Sequence, residues 1–171
     1  MTPLPLSTNL FTLLSKHGLV RLNTRPSRTV AAIFILDQCA KEFKSVKPTC
    51  DHDNVVAKLK ILEQEGLDAV SKAKFCKFPM KHTDGLFEIR KNGVRLYGCR
   101  IASISSNIEI VALLGAEQKA GEREADKHLL DRCQKKENEL KVAWNQAVQD
   151  CQPNNDIERA RQTRLMKNRR N

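Results

Sequence analysis

The chain has 171 residues, 40% of them hydrophobic, which supports one ordinary domain with a real core and excludes wholesale disorder. Thirty Lys and Arg against 20 Asp and Glu give a net charge of +10, which makes a polyanion (RNA, DNA or a lipid surface) the first partner to expect and a free metabolic enzyme a poor one. Aromatic residues are 5%, too few for a platform that reads single-stranded bases one by one.

The first 36 residues contain no acid, but hold Lys16, Arg21, Arg25 and Arg28 among many Ser and Thr. This reads as a basic N-terminal arm over 1–28, with a mitochondrial presequence as the alternative. Thr29–Leu36 is an apolar, β-branched run of strand length. Asp37 follows as a cap for a helix reaching about Ser45, and Asp51 or Asp53 can cap a second helix that stops at Gly66. Residues 67–83 read as an irregular basic linker. Leu86–Lys91 and Val94–Cys99 flank Asn92-Gly93, the preferred two-residue type I′ hairpin signal, and Ile108–Leu114 supplies a further strand. From Glu122 a long helix carries Ala125, Leu129, Cys133, Leu140, Trp144, Ala147 and Cys151 on one stripe and ends before Pro153. That stripe folds back on the domain, pairs with a second copy or binds a partner helix. A basic tail follows from Arg159. The expected class is α+β: a small, mostly antiparallel sheet with helices on one face, plus a long C-terminal helix.

The six cysteines include no C-x-x-C and no pair closer than eleven residues, which argues against structural zinc and for free thiols in a reducing compartment. No segment approaches the length of a membrane span. Charge is concentrated: residues 72–100 carry +6 and residues 1–36 carry +4, whereas residues 37–71 carry −2.

A two-residue loop fixes the hairpin register, placing Phe87, Ile89, Val94 and Leu96 on a core face. Glu88, Arg90, Arg95 and Tyr97 fall on the other. Arg90 and Arg95 then face each other and repel unless Glu88 or a bound phosphate offsets them. The plain reading is a solvated face with a Glu–Arg pair; the functional one is a phosphate site.

The segments Gly85-Leu86-Phe87-Glu88-Ile89-Arg90 and Gly93-Val94-Arg95-Leu96-Tyr97, the strand Ile110–Leu114 and Lys119 together resemble the RelE/HigB superfamily of toxin–antitoxin toxins. Phe34–Asp37 leading into Ala40–Phe43 fits the front of that family, and the resemblance covers residues 29–135. It implies a ribosome-dependent mRNA endoribonuclease, cytoplasmic, cofactor-free and held by a cognate helix-turn-helix antitoxin. The cut proceeds by 2′-OH attack on the adjacent phosphate. Carried over residue by residue, Arg95 is the phosphate clamp with Arg90 beside it. Lys119 stabilises charge or donates a proton, and Glu88 is a base or orients Arg95. Lys77, Lys81, His82 and Tyr97 contact RNA. Where the family often places His, Tyr or another Arg after the last strand, this chain reads Gly115-Ala116-Glu117-Gln118. That departure favours the alternative of a non-enzymatic toxin or nucleic-acid-binding protein on the same fold, as in the ParE-like branch. Residues 136–171 extend beyond the compact toxin.

Overall fold

The computed structural model describes residues 6–22, 30–46, 50–81, 83–105, 108–119 and 125–151; His82, Thr29, Arg25, Arg28, Pro153 and the basic tail lie outside them. In chain order the elements are α1 (Leu6–Lys16), β1 (Leu19–Arg21), β2 (Ala31–Leu36), α2 (Asp37–Ser45), α3 (Cys50–Glu65), α4 (Leu67–Lys72), β3 (Cys76–Lys77), β4 (Leu86–Lys91), β5 (Val94–Ser105), β6 (Ile108–Gln118) and α5 (Lys127–Cys151). The protein is α+β. Among the described residues one open sheet runs β1-β2-β6-β5-β4-β3, antiparallel throughout except where β2 lies parallel to β6.

Helices cover both faces of this sheet, not one. Alternation along the strands sends Ile33, Phe87, Ile89, Leu96, Val111 and Leu113 to the face packed by Cys39 of α2, by Val55, Leu59 and Leu62 of α3 and by Val70 of α4. It sends Phe34, Leu86, Tyr97, Cys99, Ile110 and Leu114 to the opposite face, where Leu14 of α1 and Cys133, Leu140 and Trp144 of α5 close over them. A sheet buried on both sides needs apolar side chains at successive positions, and β6 has them in Ile110–Leu114, all buried.

Several expectations change here. Part of the expected basic arm is built into the domain, because α1 brings Leu14 and β1 brings Leu19 into the second core. Phe11 packs its ring 5.7 Å from that of Phe34. The linker contains α4 and the short strand β3. Asp37 does not cap α2: Leu36 occupies that position without a side-chain hydrogen bond, and Asp37 lies in the first turn, where its charge complements the helix dipole. The stripe of α5 folds back on the sheet, and the helix runs without a break through residue 135. Gly115 is the docking notch for α5, since a Cβ there would run into Leu129 and Cys133.

Glu42 ties the two helical layers together. β2 stops pairing at Leu113 of β6, which leaves the Ala116 N–H beyond the reach of a strand partner on that side. The Glu42 carboxylate accepts that N–H at 3.0 Å and pairs with Arg132 of α5 at 2.6 Å.

Candidate nucleic-acid interface

The hairpin has the register expected from its sequence: Glu88 faces Tyr97, Ile89 faces Leu96, and Arg90 faces Arg95. Its turn departs from type I′, because Asn92 alone takes a left-handed φ, of 47°. Gly93 is required for another reason: a Cβ would collide with the Lys119 carbonyl, while the Lys119 N–H donates to the Gly93 carbonyl at 2.9 Å. This contact brings Lys119 to the turn end of the sheet.

The face expected to be solvated is not. Glu88, Arg95 and Tyr97 are buried, at 3%, 4% and 0% exposure, and they form one network with a residue not foreseen, Glu117. Arg95 lies opposite Glu117 across β5 and β6. Its guanidinium is 3.6 Å from Glu88 and 3.9 Å from Glu117. Arg95 also hydrogen-bonds the Tyr97 hydroxyl, which donates to Glu117 at 2.6 Å. Lys119 closes the chain at 3.4 Å from Glu117. Burial opposes the Arg95 charge, but the Tyr97 hydrogen bond and the two carboxylates outweigh it and hold the guanidinium above its ordinary pKa. Burial, followed by donation to Glu117, drives the Tyr97 phenol upward, so it stays protonated.

Thus the structure gathers Glu88, Arg95, Tyr97 and Lys119, with Lys77 at 3.9 Å from Glu88, but spends the Arg95 charge on internal carboxylates. The repulsion between Arg90 and Arg95 is offset from within. Arg90 itself is half-buried at the sheet margin, Lys81 is exposed outside the network, and His82 lies outside the described residues. Arg100, another member of the basic segment, is also used internally. It pairs with Asp68 at 2.7 Å and Glu109 at 3.3 Å, and sits 5.1 Å over the Phe78 ring.

What remains at the surface is a cationic margin along β3 and β4. Because β3 has two residues, β4 runs past it, and Lys58 of α3 reaches across to donate to the Arg90 carbonyl at 2.8 Å. Lys74, Lys81, Arg90 and Lys91 pair with no carboxylate among the described residues. Lys58 carries no local signal in the sequence and Lys74 reads only as one charge of the basic linker, since their proximity to Arg90 depends on how α3 and α4 pack.

Family models, curated proteins and solved structures gave no match to the chain. Among the described residues no His, Cys, Asp and Glu cluster is arranged to hold a metal ion, and no helix is long and apolar enough to cross a membrane.

Cys39, Cys76, Cys99 and Cys133 are free and buried. Burial pushes the Cys76 thiol up to about 11 and the Cys133 thiol up to about 12, well away from the thiolate form that reacts. In a chain carrying Cys50→Ser and Cys151→Ser, thiol labelling by a disulfide reagent at pH 8 is expected to proceed only as fast as the protein opens. A rapid stoichiometric burst would contradict the buried placement of all four.

Proposed function

We propose that this protein is a RelE/HigB-type toxin that inhibits translation by gripping mRNA at the ribosome through its phosphates, without cutting it. The observation that carries this reading is the division of cations. Arg95, the family's clamp position, is buried and balanced by Glu88 and Glu117, whereas Lys74, Lys77, Lys81, Arg90 and Lys91 line an open margin. Arginine and lysine held this way bind phosphate by charge and hydrogen bonding, and they impose no sequence choice. A cleaving centre needs a base for the 2′-OH and an acid for the leaving oxygen; the Tyr97 phenol is committed to Glu117 and unsuited to either. The setting would be the cytoplasm, with a helix-turn-helix antitoxin as the controlling partner.

The test is the salt dependence of single-stranded RNA binding. Each phosphate contact removed should flatten the slope of log K against log salt by about 0.7. Arg90→Gln and Lys91→Gln are expected to do this additively, with the thermal transition little changed. An unaltered slope in both variants would remove the margin from the RNA surface.

The endoribonuclease reading keeps one observation in its favour: Glu88, Arg95, Glu117 and Lys119 converge at one end of the sheet. Mapping mRNA 5′ ends after induction separates the two. New in-frame cuts would support cleavage, and growth arrest without them would support binding alone.

A further inference from the structure

At the β3–β4 margin lies an open pocket of about 370 Å³, a size within the range of small-ligand sites. Among the described residues, Lys58, Lys74, Lys77 and Arg90 line it against a single carboxylate, Glu88. Four cations against one carboxylate, itself shared with Arg95, leave the concavity with a surplus of positive charge that a bound anion would offset. Burial, with Lys91 and Arg90 nearby, already pushes the half-buried Lys58 ammonium below its ordinary range, and a bound anion would relieve this.

The backbone that frames the pocket is held in an unfavoured form. Where α4 ends, the Lys74 N–H donates to the Ser71 carbonyl at 3.0 Å and the Phe75 N–H to the Val70 carbonyl at 2.9 Å, the paired bonds of a Schellman stop. The left-handed position of that motif usually holds glycine. Here it holds Lys74, at φ 59°. The turn sets Lys74 and Phe75 side by side on the pocket wall. Phe75 stays 40% exposed, although the matching position in such stops commonly packs back on its helix. An accessible aromatic face beside clustered cations suits a base attached to a phosphate.

We propose that this pocket takes one nucleotide unit of single-stranded RNA, with its phosphate on Lys58, Lys74 and Arg90 and its base stacked on Phe75. The inference rests on the RNA-binding reading for the polymer, while the nucleotide chemistry itself is shared with a free nucleoside 5′-phosphate.

Fluorescence anisotropy of the full chain with a labelled eight-nucleotide oligoribonucleotide, and with an abasic ribose-phosphate oligomer of equal length, tests it. The base-bearing oligomer should bind roughly tenfold more tightly. Phe75→Ala should erase that advantage and leave the abasic affinity unchanged. Phe75→Leu, which keeps an apolar side chain but no ring, should behave the same way. Lys74→Gly should weaken both oligomers together while raising the Tm, because glycine suits the left-handed turn. Equal binding of the two oligomers, or an advantage that survives Phe75→Ala, would overturn the pocket while the RNA reading stood. Failure to bind either oligomer at low salt would overturn the RNA reading. AMP binding lost in Phe75→Ala would then still support the nucleotide site, and its absence would overturn that too.

Discussion

Arg95→Ala is expected to lower the stability of the fold by roughly 3–5 kcal/mol, more than almost any other single polar substitution. The variant would leave Glu88 buried at 3% exposure and Glu117 nearly so, without the guanidinium that lies between them. An orphaned buried carboxylate is costly because the lost attraction is not returned by water. One control separates this from a catalytic effect. Adding Glu88→Gln to Arg95→Ala should recover part of the loss, since it removes the orphaned charge. Urea unfolding of the single and double variants provides the measurement. An Arg95→Ala protein as stable as the parent would mean that the guanidinium is free to serve a substrate.

Trp144→Ala should cost a similar amount, roughly 3–5 kcal/mol, with a fall in Tm on the order of 10 °C. Trp144 is 5% exposed and packs in the second core with Leu140, Cys133 and the strand residues beneath them. On the opposite side of the same helix Val142 is 69% exposed, and Val142→Ala should stay within about 0.5 kcal/mol. The contrast decides what α5 is for. A helix presented to a partner would tolerate loss of its tryptophan in the isolated protein; a helix that forms part of the core would not.

Much of the fold can be read directly from the sequence where local signals act alone. The Asn92-Gly93 pair and the alternating runs beside it fix the register of β4 and β5, and Gly66 ends α3 where expected. Reading fails where tertiary placement decides. Glu117 lies opposite Arg95 only because β6 continues past Leu114, and because register shifts between β5 and β6 move the pairing in ways no local pattern specifies. The same holds for α5: its stripe announces a buried face, but not that this face lies over Tyr97 and turns an expected outer surface into an interior one. β3 has two residues, too short for any periodicity to show. Among the candidate residues, the grouping of Glu88, Arg95, Tyr97 and Lys119 follows from the hairpin and the closing strand, whereas the withdrawal of Arg95 from solvent does not.

Both margins of the sheet are its shortest strands, three residues in β1 and two in β3. A longer bare margin offers N–H and C=O groups to any other chain and invites edge-to-edge polymerisation. Here β4 continues past β3 with Arg90 and Lys91, and the Lys58 ammonium already occupies the Arg90 carbonyl. Two molecules aligning these margins would have to displace that lysine and force like charges together. The side chains that would attract a nucleic acid therefore also keep the protein from adding itself to its own sheet. Replacing Lys58 and Lys91 with uncharged residues should then appear first as growing aggregates in light scattering.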